Sequence, residues 1–305
     1  MQNQYMYLAR KIKKRTLFSV GYERVTLLGQ SLLLGMIITL SLLSGMTVSD
    51  AIGEERPSAT GEKALSTIEF KREYLKHIID QQERLVYSLV ESPLMAAYLS
   101  SNIDQNRESL EQLFLTVSDL NDHYMQVRFI DALGQEQIRI DQSKNGTDPI
   151  IIKKDNLQNK SGRDYFKQTK KVVNGRLWHS SFDLNQEQGV IEKIINPTFR
   201  VASPVYFDGQ FFGIVIINLE MSWVINHLID SPDFSIYFVD AGNEFLVHPN
   251  PNKSWSKYLP GRAKYQEKLD NQANIYTSSL EDIFKNGEGI RMILEPVVGT
   301  EQLTE

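Results

Sequence analysis

One uninterrupted apolar run, from Val25 to Val48, dominates the hydrophobic pattern of the chain and contains no charged residue. As a helix its 24 residues would be about 36 Å long, enough to cross a hydrocarbon core of about 30 Å. The run therefore predicts a membrane-spanning helix over residues 25–48. A cleaved signal peptide is the alternative, but its apolar region extends over only about 7–15 residues.

Charges on either side of this run predict its orientation. Residues 1–24 contain six basic side chains and one acidic side chain, Glu23, whereas Asp50, Glu54 and Glu55 follow the run. Because basic flanks stay on the cytoplasmic side, residues 1–24 are predicted to be a cytoplasmic tail. The remaining chain is expected on the outer side of the membrane.

Helical spacing of apolar residues follows a polar exit segment at residues 50–61. Over residues 62–91 the apolar positions recur at helical intervals with charged residues on the opposite face, which predicts a long helix that ends at Ser92-Pro93. A second helix is predicted over 106–120. The apolar stripe of the long helix can face a partner helix as well as its own sheet, so we expect a homodimer.

Beyond residue 120 the pattern changes to the alternation that is typical of β-strands. Residues 211–219 are apolar on both faces, which predicts a central strand, and Asp208-Gly209 is a two-residue hairpin signal. The predicted strands are 124–131, 136–141, 177–183, 190–195, 199–207 and 211–219, with a short helix at 162–173.

A second sheet unit is predicted after a helix at 221–229. Its predicted strands are 234–240, 244–247 and 289–294, with helical stretches at 262–270 and 279–285. So few strands can form only a core of marginal stability. We therefore expect the chain to be cut short inside a second domain. The fold class is α+β, with domains at 50–220 and 221–305.

Charge and cysteine content exclude several partners and cofactors. The chain has a net charge of −5, and because the tail carries +5 the remainder carries −10, which argues against nucleic acid or anionic lipid as its partner. The chain has no cysteine, so disulfides, thiolate metal sites and thiol nucleophiles are excluded.

The order of these elements resembles the double Cache sensor domains of bacterial transmembrane receptors, which are tandem extracytoplasmic PAS-like folds. The resemblance covers residues 62–294. It is carried by the hairpin at 124–141, by Arg163-Asp164-Tyr165-Phe166, by the segment from Trp178 to Gly189, by Pro197-Thr198-Phe199-Arg200 with Pro204-Val205, by the strand from Gly213 to Asn218 and by the second hairpin from Asp240 to His248-Pro249.

The resemblance implies ligand sensing without catalysis, in a pocket between the sheet of the membrane-distal unit and the loop-helix segment over it. It implies that Arg163 pairs with a ligand carboxylate and that Tyr165 and Phe166 wall the pocket. Asn218 stands where amino-acid-binding members have Asp, and Gln158 where they have Tyr. Because a neutral amide cannot pair with an ammonium as a carboxylate does, a small carboxylate or another polar metabolite is favoured over an α-amino acid.

Seven side chains are the predicted ligand site. Arg163 presents a fork of donors that suits a carboxylate, although a surface Arg on a short helix remains open. The aromatic residues are equally suited to a plain core, and Asp183 to capping a turn. Arg128 and Arg200, on strands, are expected to be exposed. The predicted ligand site is Arg163, Tyr165, Phe166, Trp178, Ser180, Asp183 and Asn218.

Catalytic and metal motifs find no support in the sequence. His179 and Ser180 are neighbours on a predicted strand, so their side chains should point to opposite faces and not form a catalytic pair. No H-E-x-x-H occurs, and Asp141-Gln142-Ser143 begins a loop whose later positions do not fit a calcium site. We expect no metal, no cofactor and no catalytic residue.

The sequence thus indicates the ligand-sensing input region of a transmembrane receptor, with a histidine kinase as its expected output. A diguanylate cyclase or a chemoreceptor is the alternative output. A membrane-anchored periplasmic hydrolase, which would turn over esters or glycosides, and an adhesion module, which would bind no small molecule, are alternatives of other classes.

Overall fold

The computed structural model describes residues 58–101, 103–142, 148–180, 182–187, 190–191, 195–265 and 275–297. The predicted tail and the predicted membrane helix lie outside these ranges. Within the ranges, no helix is both long enough and apolar enough to cross a membrane.

The predicted long helix is present as α1, Ala59–Val90. Its first turn is capped by Ser58, whose Oγ accepts from the backbone N–H of Gly61 at 3.1 Å. Ser92 and Pro93 end α1 as predicted, but they also begin a helix that the pattern did not reveal, α2, Pro93–Ser100. Proline suits the first turn of a helix because that turn leaves its N–H groups unpaired. The second predicted helix is α3, Asp104–Asp119.

The first sheet is antiparallel and contains the predicted apolar strand at its centre. Its order is β3-β2-β1-β9-β8-β4, and β5 also pairs with β8. The strands are β1 Tyr124–Asp131, β2 Glu136–Asp141, β3 Ile150–Ile151, β4 Trp178–His179, β5 Asp183–Leu184, β8 Pro197–Phe207 and β9 Gln210–Glu220; β6 Gln186–Glu187 and β7 Val190–Ile191 form a separate ribbon, and helix α4 is Asp164–Thr169.

Two faces of this sheet serve different purposes. Odd-numbered residues of the long hairpin, such as Phe199 and Ile217, lie in the core with α1. Even-numbered residues, such as Ala202 and Ile216, pack with Tyr165 of α4. The hairpin turn has positive φ at Asp208 (48°) and Gly209 (76°), as two-residue hairpin turns require. The turn fixes the register and so determines which side chains face α4.

The second sheet has four strands in the order β11-β10-β13-β12. Its edge strand β12 was missed, and residues 262–265, predicted as helix, are not helical. The elements are α5 Ser222–Ile229, β10 Phe234–Val239, β11 Phe245–Val247, β12 Tyr276–Ser279, α6 Glu281–Phe284 and β13 Arg291–Pro296. Strand β12 is mostly Thr and Ser, so it lacks the apolar alternation that reveals a strand.

Helix α1 connects the two sheets. Near its start, Lys71 Nζ donates to His227 O (2.6 Å) and to Asp230 O (2.9 Å) at the end of α5. At the next position, Arg72 Nη2 lies 2.6 Å from Asp282 Oδ2 of α6. Near its end, the fully buried Val86 packs into the core of the first sheet. One helix therefore supports both sheets along its length.

Candidate functional site

A cavity of about 780 Å³ lies beside α4 and the edge of the first sheet, and its volume is in the range of small-molecule sites. Part of its wall comes from the second sheet unit. The lining residues are Gly162, Arg163, Asp164, Tyr165, Gln168, Val172, Leu177, Trp178, His179, Ser180, Asp183, Leu184, Arg200, Tyr258, Lys285, Asn286 and Glu288.

Five of the seven predicted ligand residues line this cavity: Arg163, Tyr165, Trp178, Ser180 and Asp183. The other two lie elsewhere. Phe166 packs in the apolar cluster beneath α4, and Asn218 is buried within the sheet. The structure thus brings together most of the predicted set, and its role in binding stays a prediction.

Arg200 is a lining residue that the sequence reasoning assigned wrongly. It was expected to be exposed, but only 6% of its surface is exposed. Its Nη1 lies 2.6 Å from Asp183 Oδ2, because β5 and β8 are neighbours. Burial raises the pKa of the Asp183 carboxyl above its ordinary value, and the Arg200 guanidinium opposes that shift. A charge on a strand gives no sequence signal that it faces a polar cavity.

Arg128 is likewise buried, with 2% of its surface exposed, against the expectation of an exposed strand residue. Its Nη2 donates to Asn218 Oδ1 at 3.0 Å and its Nη1 to Tyr165 Oη at 3.2 Å. The carboxylate of Glu136, also buried, lies 3.4 Å from Nη1. The side chain of Asn218 is therefore in contact with a guanidinium of the protein itself. The resemblance described above implies an Asp at this position in receptors that bind a ligand ammonium.

Arg163 stands at the start of α4 and is held by stacking rather than by an ion pair. Its guanidinium carbon lies 5.9 Å from the centre of the Tyr165 ring, and that of Arg128 lies 5.3 Å from the same centre. Among the described residues, no carboxylate oxygen lies within 4.0 Å of the Arg163 guanidinium. Arg163 is thus a half-buried cation in the cavity wall that is available to an anion.

His179 and Ser180 point to opposite faces, as predicted for neighbours on a strand. The His179 ring stacks on Phe199 on the α1 side, whereas Ser180 Oγ accepts from Arg200 N at 2.9 Å. Glu83 Oε1 approaches His179 Nε2 at 2.9 Å without hydrogen-bond geometry. Burial lowers the pKa of His179 to about 4, and the positive charge of Lys285 adds to that shift.

In the described ranges, no group of three or more His, Asp or Glu side chains is arranged to hold a metal ion. Lys160, at the edge of the same polar region, has its pKa lowered by burial, and the nearby Glu136 opposes that shift. Charges of both signs line the cavity in equal number: Arg163, Arg200 and Lys285 against Asp164, Asp183 and Glu288. A preference for an anion would therefore come from single side chains and not from the net charge of the lining.

Comparisons with known proteins agree with this architecture. A domain of a candidate sensory box/GGDEF family protein from Vibrio parahaemolyticus is 21% identical, with a TM-score of 0.66, over 79% of this chain and 97% of that one. The extracellular domain of the candidate histidine kinase vpHK1S-Z8 is 22% identical, with a TM-score of 0.65, over 77% and 90%. The ligand-binding domain of the Campylobacter jejuni chemoreceptor Tlp3, in complex with 4-methylisoleucine, is 12% identical, with a TM-score of 0.54, over 81% and 96%.

No curated protein matches the chain. The family model described as "Bacterial histidine kinase, sensor domain" matches residues 58–284, which span α1, the first sheet, most of the cavity wall and most of the second sheet. Because this match covers well over half of the chain, the protein belongs to the family of bacterial histidine kinase sensor domains.

Proposed function

We propose that this extracytoplasmic sensor domain binds a small carboxylate in the cavity beside α4. The observation that carries the proposal is the Arg163 guanidinium, which has no ion-pair partner among the described residues and lies in the cavity wall with Tyr165 and Trp178. A site that combines aromatic walls with one available cation suits a planar anion, because a carboxylate accepts two hydrogen bonds from a guanidinium.

The arrangement around Asn218 favours a carboxylate without an α-ammonium group. Asn218 does not line the cavity and its Oδ1 already accepts from Arg128, so it offers no acceptor to a ligand ammonium. Solved relatives show what the fold can hold: the Tlp3 domain was crystallised with 4-methylisoleucine, and the PctC chemoreceptor domain of Pseudomonas aeruginosa with GABA. Both molecules carry a carboxylate and also an ammonium group, so they support the carboxylate of the proposed ligand and not the lack of an ammonium.

A thermal-shift screen against carboxylates tests this function on the full chain. A ligand at about 100 times its Kd adds roughly 2.7 kcal/mol to the free energy of unfolding, and Arg163→Ala should remove that shift. Arg84→Ala is the matched control because Arg84 is exposed on α1. A carboxylate that shifts wild type and Arg163→Ala equally would place its binding elsewhere and refute the assignment.

Signalling follows from the position of α1. We infer that ligand favours one of two arrangements of the sheets and that α1, which contacts both, carries the difference toward the predicted membrane helix. Kinase chemistry then resides in a separate output region, and the described domain only binds. Protease added to intact spheroplasts should digest the described domain and spare residues 1–24; the reverse result would contradict the orientation.

We also propose that the receptor is a homodimer through α1. Leu65 and Phe70 on this helix are large apolar side chains, and yet they are 56% and 59% exposed. Sedimentation of the full chain should show a dimer that Phe70→Ser weakens. A monomer at all concentrations would contradict the proposal.

A further inference from the structure

The second sheet contributes one wall of the ligand cavity. Tyr258 and the residues Lys285, Asn286 and Glu288 line it opposite the first sheet. The last three belong to the connection between α6 and β13, which we call the 285–289 loop. A molecule that fills the cavity therefore touches both sheets, and the 285–289 loop decides what its second end can be.

Two side chains of the 285–289 loop have unmet hydrogen-bonding capacity. Among the described residues, Asn286 Nδ2 and Glu288 Oε2 are buried atoms without a hydrogen-bond partner. Lys257 Nζ lies 4.0 Å from Glu288 Oε2, beyond hydrogen-bond distance. Buried polar groups are usually paired, and leaving them unpaired is costly. One of these atoms is a donor and the other an acceptor, so ligand hydroxyl groups could satisfy both. Both atoms are buried from the cavity, so each side chain has to turn toward it when a ligand binds.

The 285–289 loop is fixed in place rather than free. The Glu281 carboxylate accepts from Gly287 N at 2.6 Å and from Gly289 N at 3.1 Å. Both glycines have positive φ, 72° and 61°, which only glycine adopts without strain. Helix α6 is itself held by the Asp282–Arg72 pair with α1. The unmet groups are thus presented by a preorganised loop, as ligand-binding groups commonly are.

We propose that the ligand is a hydroxylated carboxylate, such as a sugar acid, that bridges the two sheets. This inference rests on the proposed function: Arg163 binds the carboxylate, while Asn286 donates to a hydroxyl and Glu288 accepts from one. A hydroxyl can do both, whereas a ligand ammonium would leave Asn286 without an acceptor.

Calorimetric titration of the full 305-residue chain in lipid nanodiscs tests this ligand class with three probes of equal carbon number. Gluconate has both groups, hexanoate has only the carboxylate, and glucose has only the hydroxyls. We expect gluconate to bind about tenfold or more tightly than hexanoate, and Asn286→Ala or Glu288→Gln to remove most of that advantage. Neither variant should change the affinity for hexanoate.

Matched variants separate this inference from the proposed function. Asn252→Ala and Glu73→Gln alter exposed residues away from the cavity and should leave every affinity unchanged. Arg163→Ala should weaken gluconate and hexanoate alike. If Arg163→Ala weakens both while Asn286→Ala and Glu288→Gln weaken neither, the proposed function stands and the two-sheet site is refuted.

Two further readouts complete the test. Gluconate should slow hydrogen exchange at the backbone amides of residues 285–291, and unchanged exchange in a gluconate-saturated sample would overturn the bridging contact. Tighter binding of 6-aminohexanoate than of gluconate, dependent on Glu288, would overturn the hydroxylated class in favour of a cationic second end. Wild type that binds none of the probes would overturn the inference entirely.

Discussion

Phe284 is the side chain whose removal should most clearly uncouple the two sheets. It is fully buried at the end of α6, immediately before the 285–289 loop. Its ring lies 5.0 Å from that of Phe182 and 6.0 Å from that of Phe199, in edge-on arrangements. Phe199 belongs to the first sheet and Phe284 to the second unit, so the Phe284 ring packs across their junction.

The expected cost of Phe284→Ala follows from this packing. Truncating a buried Phe destabilises by about 3–5 kcal/mol, because apolar area is lost and a cavity remains. About 0.5–1.5 kcal/mol of this is expected from each edge-on ring pair. In a domain of this size, a loss of 3–5 kcal/mol lowers Tm by roughly 6–20 °C. Phe284→Leu keeps most of the volume but loses both ring pairs, so it should cost about 1–3 kcal/mol.

Urea unfolding followed by tryptophan fluorescence measures this loss, with Leu120→Ala as the control because Leu120 lies outside the proposed dimer contact. Leu120 is 69% exposed, so its truncation should change the free energy of unfolding by less than about 1 kcal/mol. Hydrogen exchange in the 285–289 loop should also accelerate in Phe284→Ala. If the two truncations have equal effects, the ring cluster does not hold the sheets together and the reasoning fails.

Three other substitutions test separate features of the fold. Lys71→Met removes both hydrogen bonds to the end of α5 and should cost about 1–3 kcal/mol in urea unfolding. Gly213→Ala places a Cβ against the backbone of Ile130 at a φ of 151° and should destabilise clearly more than Gly209→Ala, whose Cβ would meet open space. The pKa of His179 is about 4 in the folded protein, against an ordinary value of 6.5. As the pH decreases between those values, the unfolded chain binds a proton at this residue before the folded protein does, so the free energy of unfolding falls. At about pH 5 the loss should be ~2 kcal/mol, and His179→Gln should abolish that part of the pH dependence; an unchanged dependence would show that His179 is not its source.

Strands that alternate strongly could be predicted to the residue, and weakly patterned elements could not. The hairpin of β1 and β2 has the predicted bounds, because apolar alternation and a Gly134 turn mark it. Helix α2 was missed because a proline was interpreted only as the end of α1. Strand β12 was missed because its Thr and Ser residues carry no period; its pairing with β13 is a tertiary contact that no local pattern reveals.

The cavity shows the same division. Arg163 and Tyr165 could be predicted because they are adjacent in one recognisable segment. Asn286 and Glu288 could not, because more than one hundred residues separate them from that segment and only the packing of two sheets brings them near. Arg128 and Arg200 were expected to be exposed because a charge usually is, and burial among paired polar groups leaves no trace in hydropathy.

The support of both sheets by α1 limits how its length can vary among relatives. Lys71 contacts the second unit, whereas Val86 packs under the first sheet, fifteen positions further along. Each added or deleted residue between them would rotate one contact face by about 100° relative to the other. Homologues should therefore tolerate insertions in this interval only as whole turns, and a single-residue deletion there should be more damaging than a large change in any surface loop.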